Sequence, residues 1–439
     1  MTRMPPLTSL LVALVYAFVV ASPGQAENAA DATARGEYLA RAGDCVACHS
    51  APGGKAFAGG LKMGTPLGAI FATNITPDIE TGIGTYTVRD FDRAVRGGVA
   101  KDGRHLYPAM PYPSYAKMTD EDVRALYDYF MRAVLPVHQV NQRNEIPGWL
   151  SPRWPIAIWN ALFVGGTRFT ATPGKDPQWN RGAYLVEGLG HCGACHTPRG
   201  WAFQEKSLDA SSPSFLAGAN LDGWYAASLR QNLATGLGGW SPPEIVEFLR
   251  TGHNRHGSAY GSMRDVINNS TPWLTDDDLN GIAVYLASLP ASTAEKAPVH
   301  DDATAETLLE GTGLEGTAAT PGATVYAGQC QACHKETGAA APPYLPALAG
   351  NPTVLDKDPA SLINIVLNGS APLVVKGNPA PYRMPQYRAQ LSNQQIADVI
   401  TFIRDGWGNG APPVSAGEVA DLRKRTDAAS DQVIILRMR

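Results

Sequence analysis

Three short segments of the chain share one arrangement of residues that could attach a cofactor covalently. Each has two cysteines separated by two residues, with a histidine directly after the second cysteine: residues 45–49, 192–196 and 330–334. Two thiols at this spacing can bond the two vinyl groups of one porphyrin, and the histidine can bind its iron. Because these segments use all six cysteines of the chain, no thiol is left for a disulfide or a nucleophile.

The motifs therefore predict three covalently bound haem c groups. The predicted haem-bonding cysteines are Cys45, Cys48, Cys192, Cys195, Cys330 and Cys333, and the predicted axial histidines are His49, His196 and His334. The same cysteine pairs could instead form half of a zinc site or a thiol redox pair. A zinc site usually needs four ligands, and a redox pair usually lies beside a strand–helix–strand pattern, which the sequence does not show. Haem is the preferred interpretation.

The segments around the motifs form an internal repeat, which is clearest between the first two. RGEYL at 35–39 and RGAYL at 181–185 precede the motifs, and TGIGTY at 81–86 matches TGLGGW at 235–240. The third repeat is shorter and more diverged. Each repeat continues with an apolar helical pattern that ends near a glycine, and then with a second pattern that begins at a capping signal. These signals start at Thr119, Thr275 and Ser392.

Each repeat thus predicts a helix, the cysteine motif, a loop, a second helix, a loop and a capped final helix. The expected fold is mainly α, with three tandem cytochrome c-type haem domains joined by long loops. We predict a signal peptide at 1–26, haem domains at 27–145, 176–292 and 320–410, a Trp/Pro-rich linker at 146–175, a flexible linker at 293–319 and a C-terminal tail at 411–439.

One methionine lies at the equivalent place of each repeat, in the loop before the capped final helix. An electron-transfer haem usually has a second axial ligand, and methionine in that position raises its reduction potential. We therefore predict Met110, Met263 and Met384 as the remaining iron ligands, although a methionine near a helix more often packs in a core. The competing candidates are Met63, Met118 and His105 in the first repeat, and His253 and His256 in the second.

The first 26 residues are typical of a secretory signal. Arg3 supplies a positive charge, residues 7–21 are mostly apolar, and small residues end at Ala26. We favour cleavage over an uncleaved anchor, because the apolar run is short for a membrane span of about 20 residues. Export together with covalent haem predicts a periplasmic location.

Composition excludes several other classes of protein. The 439 residues carry a formal net charge of −4 with no basic stripe, so nucleic-acid binding is not expected. Charged residues make up 17 % of the chain, which argues against a multi-span membrane protein. The Trp/Pro-rich segment could pack between its neighbours, or dock a partner subunit or a membrane interface. The tail could be solvated, loosely docked or weakly attached to a membrane surface.

From about residue 35 to residue 409 the chain resembles the triheme cytochrome c subunit of bacterial membrane-bound dehydrogenases. The segments that carry the resemblance include 106–123 (LYPAMPYPSYAKMTDEDV), 151–163 (SPRWPIAIWNALF) and 191–200 (HCGACHTPRG). The resemblance implies that Met110, Met263 and Met384 are axial ligands. It also implies a dehydrogenase catalytic subunit as partner, of quinoprotein, flavoprotein or molybdenum type, and ubiquinone as acceptor.

By the same resemblance, the protein attaches peripherally to the outer face of the cytoplasmic membrane. Three haems with both axial positions filled would relay electrons, so we expect no catalytic site in this chain. Two alternatives stay open. One is a free periplasmic carrier, or a cytochrome subunit that feeds a terminal oxidase. The less favoured one is a haem peroxidase, which would need an iron position free of methionine.

Overall fold

The computed structural model describes residues 23–65, 67–221, 223–298, 320–370, 372–375 and 381–426, with the backbone alone for residues 23–30 and 150. The predicted signal peptide lies outside the described residues up to position 22, and residues 23–26 begin the first helix. The chain is mainly α-helical, as predicted. None of the described helices is long and apolar enough to cross a membrane.

The helices and strands follow the order of the repeats. The first repeat comprises α1 (Pro23–Ala42), α2 (Cys45–Cys48), β1 (Lys62–Thr65), β2 (Gly68–Phe71), α3 (Val88–Gly97), α4 (Tyr112–Tyr115) and α5 (Asp120–Arg132). After α6 (Trp154–Phe163), the second comprises α7 (Pro177–Tyr184), α8 (Gly193–His196), β3 (Ala219–Leu221), β4 (Trp224–Ala226), α9 (Pro242–Thr251), β5 (His253–Asn254), β6 (Gly257–Ser258), α10 (Met263–Asn269) and α11 (Asp276–Ala287). The third comprises α12 (Pro321–Gln329), α13 (Gln331–His334), α14 (Pro352–Leu355), α15 (Ala360–Asn368), α16 (Asn393–Asp405) and α17 (Ala416–Arg425).

The first and the capped final helix of each repeat cross at a glycine. Helix α1 packs on α5, α7 on α11, and α12 on α16. Gly36, Gly182 and Gly322 lie at these crossings, where a Cβ would stand 1.9–2.3 Å from a carbonyl oxygen of the facing helix. No side chain fits in that distance, so glycine allows the two backbones to touch. The same crossing in all three repeats supports the internal repeat that the sequence predicts.

The predicted capping signals are confirmed at all three final helices. The side chains of Thr119, Thr275 and Ser392 each accept a hydrogen bond from the backbone amide three residues later. The reciprocal half of the capping box forms in the third repeat, where Gln395 bonds back to the amide of Ser392. In the first two repeats the corresponding carboxylates bond elsewhere.

The carboxylates of Asp122 and Asp278 join the first two repeats, because each accepts a hydrogen bond from a tyrosine of the other repeat. Asp122 accepts hydrogen bonds from Arg35 of its own repeat and from the Tyr184 hydroxyl of the second repeat, at 2.5 Å. Asp278 likewise accepts from Arg181 of its own repeat at 2.7 Å. The hydroxyl of Tyr38 donates to Asp278 from the first repeat, at 2.5 Å. Each RGxYL segment is therefore hydrogen-bonded to the opposite repeat. The apolar residues of the first two repeats form one shared core.

The third repeat has its own core and packs on the β3–β4 hairpin. The Ser361 hydroxyl bonds both the amide and the carbonyl of Tyr225, at 2.9 and 3.0 Å. The side-chain amide of Asn364 donates to the carbonyl of Gly223 at 3.0 Å. These contacts hold the third repeat against the second.

Two segments that the sequence assigns to linker and tail are partly fixed. Glu295, in the predicted flexible linker, accepts hydrogen bonds from Asn232 and Thr235 of the second repeat; the rest of that linker after residue 298 lies outside the described residues. In the predicted tail, α17 buries Val419 and Leu422 in the third core. Residues 427–439 of the tail lie outside the described residues.

Candidate haem sites

Each cysteine motif forms a single helical turn. The amide of the motif histidine donates to the carbonyl of the first cysteine in all three, at 3.1 Å for His49, 3.0 Å for His196 and 2.9 Å for His334. Residues three apart lie on the same side of a helix. The turn therefore presents both thiols of a motif to one side, as attachment to a single porphyrin requires.

Hydrogen bonds set the orientation of the first two motif histidines. The Nδ1 of His49 lies 2.8 Å from the carbonyl oxygen of Thr73, and the Nδ1 of His196 lies 2.7 Å from that of Ala227. A carbonyl oxygen can only accept, so Nδ1 carries the hydrogen in both rings. This tautomer leaves the lone pair of Nε2 free for a metal, as in most histidine-ligated metal sites.

The third motif histidine is held less firmly. Burial lowers the pKa of His334, and the backbone of Pro346 opposes that shift, but the geometry at Nδ1 falls short of a hydrogen bond within the described part of the chain. Burial also lowers the pKa of His49 and His196, against the opposing effect of their carbonyl partners. All three imidazoles thus favour the neutral form that binds iron.

The first thiol of each motif is unsuited to thiolate chemistry. Burial raises the pKa of Cys45, Cys192 and Cys330 to about 12 in each case. Zinc binding and disulfide exchange use the thiolate, which such surroundings disfavour. Among the residues that the structure describes, no three His, Cys, Asp or Glu side chains are grouped so that they could hold a metal ion.

The second and third motifs open into one apolar cavity of about 650 Å³. The predicted ligand sets of both motifs line it: Cys192, Cys195, His196 and Met263 from the second repeat, and Cys330, Cys333, His334 and Met384 from the third. Its remaining wall is largely aliphatic and includes Leu237, Ile245, Leu286, Ile365 and Ile400. A porphyrin has an apolar ring that suits such a wall.

Three buried polar atoms belong to residues that line this cavity, and they test the fit to haem. Trp240 Nε1, His256 Nε2 and Ser258 Oγ are buried without a hydrogen-bond partner among the described residues, and all three residues line the cavity. The Nε2 of His256 lies 3.3 Å from a Glu244 carboxylate oxygen, without the geometry of a hydrogen bond. Buried donors normally have acceptors. The two propionates of a haem supply such acceptors, so the residues present fit the group.

The predicted axial methionines lie in three local settings. Met263 begins α10 and lines the shared cavity. Met384 also lines it, and its loop is fixed by Ser370, whose hydroxyl accepts a hydrogen bond from the Met384 amide at 2.8 Å. Met110 is half-buried and packs against the same core as Cys45. The structure thus brings Met263 and Met384 into one cavity with the second and third motifs, and places Met110 beside the core that Cys45 touches.

The competing candidates occupy other surroundings. Met118 is fully buried in the first core, and Met63 packs in a small separate core between β1 and β2. The His105 ring is hydrogen-bonded to the side chain of Asn160 at 3.1 Å. His253 is buried against the ring of Tyr344 and does not line the shared cavity, whereas His256 does. Position therefore favours Met263 over His253 in the second repeat, whereas His256 shares the cavity with Met263.

Sequence reasoning identified His256 only as a competing iron ligand, and it missed Trp240 and Ser258. Trp240 belongs to the TGLGGW segment that identifies the repeat, and its conspicuous place there was a usable signal. Ser258 lies on a strand of two residues and carries no pattern that would identify it.

A family model described as cytochrome c matches residues 33–133 and 319–407. The chain is 49 % identical over 421 residues to the gluconate 2-dehydrogenase cytochrome c subunit of Pantoea cypripedii, and the match covers 94 % of each chain. The chain belongs to the family of dehydrogenase cytochrome c subunits.

Other members of this cytochrome c family serve different dehydrogenases. The chain is 49 % identical over 394 residues to the cytochrome c subunit of alcohol dehydrogenase (quinone) from Gluconacetobacter polyoxogenes, covering 89 % of this chain and 83 % of that one. It is 35 % identical over 410 residues to the fructose dehydrogenase cytochrome subunit of Gluconobacter japonicus, covering 89 % and 82 %. The resemblance predicted from the sequence is confirmed, and with it haem binding and electron transport as part of an oxidoreductase complex.

Proposed function

We propose that this cytochrome c subunit carries three covalent haem c groups and relays electrons from a dehydrogenase catalytic subunit to ubiquinone or the respiratory chain. The proposed ligand sets are Cys45, Cys48, His49 and Met110; Cys192, Cys195, His196 and Met263; and Cys330, Cys333, His334 and Met384. The observation that carries the proposal is the recurrence of the one-turn motif with a half-buried histidine, twice within one shared cavity.

The residues of each site have distinct tasks. Haem c supplies reversible one-electron transfer when it is bound. The cysteines would hold the porphyrin on its turn, and the carbonyls of Thr73 and Ala227 hold two of the histidine rings in place. The aliphatic wall of the shared cavity excludes water, and Trp240, His256 and Ser258 would hold propionates. Met110, Met263 and Met384 would hold the iron together with the motif histidines, which would leave no site on it for a substrate.

The arrangement of the repeats supports a relay. Because the second and third motifs line one cavity, no layer of protein separates their proposed haems there. The first and second repeats share a core and the reciprocal Tyr–Asp contacts, which fix their relative position. Electrons that enter at one repeat therefore have a fixed route to the next.

The proposed partner is a catalytic subunit that oxidises a sugar acid, a sugar or an alcohol, as the names of the relatives indicate for those proteins. The flavoprotein, quinoprotein and molybdenum types are all compatible with one-electron acceptors of this kind. We place the complex in the periplasm, peripherally attached to the outer face of the cytoplasmic membrane, because of the amino-terminal signal pattern.

Purification from solubilised membranes, followed by substrate-driven reduction, tests the proposal. The haem-containing band should travel with a large dehydrogenase subunit. Anaerobic addition of gluconate, fructose or ethanol should then reduce the haems, and a soluble ubiquinone analogue should reoxidise them. A haem protein that runs alone in the soluble fraction would indicate a free carrier. Ready binding of carbon monoxide by the reduced protein would indicate an open iron and a haem enzyme.

A further inference from the structure

The second repeat has one residue more than the first between its RGxYL segment and its cysteine motif. The segment begins ten residues before the first cysteine in RGEYLARAGDC at 35–45, and eleven residues before it in RGAYLVEGLGHC at 181–192. The fold absorbs the extra residue in a π-helical turn, Leu185–Leu189, where the amide of Gly190 donates to the carbonyl five residues earlier, at 2.7 Å. Such turns are rare and often lie at functional sites. This one ends directly before His191, the residue that precedes the second motif.

The residue before the motif has a left-handed backbone in both of the first two repeats. Its φ is +46° at Asp44 and +38° at His191. This conformation is uncommon for a residue with a side chain, and it persists where the surrounding structure fixes it. Asp44 and His191 hold equivalent places, but only the second repeat has an imidazole there, whose ring N–H can donate a hydrogen bond.

The imidazole of His191 reaches the first repeat beside its haem-attachment turn. Its Nε2 lies 3.3 Å from the carbonyl oxygen of Gly43, two residues before Cys45. A carbonyl oxygen can only accept, so Nε2 carries the hydrogen of this bond. The Tyr115 hydroxyl donates to the same carbonyl at 3.2 Å, and its ring meets the imidazole edge-on with the centroids 5.5 Å apart. The first repeat therefore fixes the position of the His191 ring.

His191 also belongs to the wall of the cavity that the second and third motifs share. Ala42, at the end of α1, lines the same cavity. The first proposed ligand set does not line it at all: Cys45, Cys48, His49 and Met110. A layer of protein therefore lies between the first proposed haem and this cavity, and the end of α1 and His191 form part of that layer.

The layer is thin at Gly43. A Cβ at this position would lie 3.1 Å from a side-chain carbon of Leu189 and 3.6 Å from the Sγ of Cys45. The carbonyl that His191 contacts thus belongs to a residue packed directly beside a predicted haem-bonding sulfur. The contact between Gly43 and His191 joins the surroundings of the first site to those of the second.

We propose that the hydrogen bond between His191 and the Gly43 carbonyl is the bridge by which electrons pass between the first and second haem sites. Electron tunnelling slows steeply with distance, and bonded or hydrogen-bonded atoms carry it better than gaps in the packing. The bridge leads from the turn that holds Cys45, through the carbonyl and the imidazole, to the wall of the shared cavity. This inference rests on the proposed function, because it needs a haem at each of the two motifs.

One other contact competes for this role. The Ser270 hydroxyl donates to the carbonyl of Ala42 at 3.3 Å, and Ser270 also lines the shared cavity. The His191 contact is favoured because the imidazole is a delocalised ring, and because Gly43 is one residue nearer to Cys45 than Ala42 is.

The transfer moves one electron and no proton. One iron is oxidised from the ferrous to the ferric state as the other is reduced, and no bond forms or breaks. Burial lowers the pKa of His191, against the opposing effect of the Gly43 carbonyl, which favours the neutral ring. His191 therefore keeps its Nε2 hydrogen throughout and places no charge between the two sites.

Laser-flash reduction of the oxidised, haem-loaded full chain tests the bridge, because the first electron then redistributes among the haems. His191→Leu should slow redistribution between the first and second haems several-fold, with every midpoint potential as in the wild-type chain. His191→Gln should recover most of the rate, since its amide can donate to the same carbonyl. The Met110→His change identifies the phase, because it alters the potential of the first haem and so the amplitude of that phase.

Two further variants keep the test sharp. Ser270→Ala is the matched control, since it removes the competing hydrogen bond to the neighbouring carbonyl and should leave the rate unchanged. His191→Phe keeps a ring but has no donor, so it should slow the phase as His191→Leu does. It also replaces His191→Leu if that chain does not take up haem.

Failure of the bridge and failure of the proposed function give different results. Wild-type redistribution in His191→Leu and His191→Phe, or equal slowing in His191→Gln, would overturn the bridge while the relay itself still worked. Slowing in Ser270→Ala alone would move the route to Ala42 and would also overturn it. A wild-type chain whose mass lacks the haem of the first or the second motif would contradict the proposed function instead.

Discussion

Each proposed axial methionine serves one haem, so its replacement should disturb one reduction potential and leave the others in place. Met384→His should lower the potential of the third haem by roughly 0.1 V or more, within the about 0.8 V range that axial ligands set. Histidine stabilises ferric iron better than the thioether does. A spectroelectrochemical titration of the purified chain measures all potentials together.

Met118→Leu is the matched control for that titration. Met118 is fully buried in the first core and does not line the cavity shared by the second and third motifs, so leucine of similar volume should leave every potential unchanged. A Met384→His chain with wild-type potentials would remove Met384 from the ligand set.

Asp278 predicts an acid-sensitive contribution to stability. Burial raises its pKa, but hydrogen bonds from Arg181 and Tyr38 outweigh this and hold the pKa below its usual value. A carboxyl group with a lowered folded-state pKa stabilises the fold above its unfolded pKa of about 3.9, and that contribution is lost as the pH falls through the folded value. Asp278→Asn should therefore be less stable than wild type at pH 7.

The unfolding free energies of the two proteins should begin to converge below about pH 4 and should meet only below the lowered folded-state pKa of Asp278. Urea denaturation at several pH values checks this. A constant difference across the whole pH range would show that the charge of Asp278 is not what stabilises this contact.

At the scale of residues the cysteine spacing predicts the haem attachment sites, because covalent chemistry fixes that spacing regardless of the fold. The sequence predicts Asp122 and Asp278 as parts of capping boxes. It could not show that their carboxylates instead accept hydrogen bonds from tyrosines of the other repeat. That choice depends on how the repeats meet in space.

The helix crossings at glycine make a prediction at the scale of elements. Gly322→Ala should destabilise the third repeat by about 1–3 kcal/mol, because its Cβ would stand 2.3 Å from the carbonyl oxygen of Asp398. Gly328→Ala in the same helix meets no atom within 4 Å. It should be neutral or stabilising by up to about 1 kcal/mol, since alanine favours helix.

Denaturant titration of the two variants, followed by far-ultraviolet circular dichroism, measures the difference. Equal effects of the two substitutions would mean that the α12–α16 crossing is looser than the structure shows.

The helices were easier to predict than the strands. The sequences of the capped final helices have both a start signal and a periodic apolar face. In the structure these helices begin at the predicted caps and bury apolar residues. The hairpins have strands of only two to four residues, too short for alternation to be recognised. Helix α17 was missed although Ser415 and Glu418 form a complete capping box, because its basic end suggested a solvated tail.

For the whole molecule, the reciprocal contacts between the first two repeats should contribute measurably to stability. Tyr38→Phe and Tyr184→Phe should each cost about 1.5–3 kcal/mol, as expected for hydrogen bonds to charged groups. Each change removes one hydroxyl and keeps the ring. The double variant should show how strongly the two contacts depend on each other.

Tyr86→Phe is a suitable control. The Tyr86 hydroxyl accepts a hydrogen bond from the backbone amide of Lys101 at 3.3 Å, so the bond that is lost involves no carboxylate. It should cost less than either change at the interface. If all three substitutions cost the same, the Tyr–Asp exchange would not be what joins the repeats.

The packing of the repeats against one another could not be predicted from the sequence. Three similar segments predict three domains, but their similarity carries no information on how they pack. The shared core of the first two repeats and the shared cavity of the second and third follow from residues far apart in the chain, such as Tyr184 with Asp122 and Ser361 with Tyr225.

The haem count of the purified chain tests the central claim most directly. Intact mass spectrometry under denaturing conditions retains covalent haem and removes any that is merely bound. We predict a mass equal to the polypeptide plus three haems, falling by one haem when both cysteines of any single motif are changed to alanine. A mass with fewer than three haems in the wild-type chain would contradict the relay of three centres.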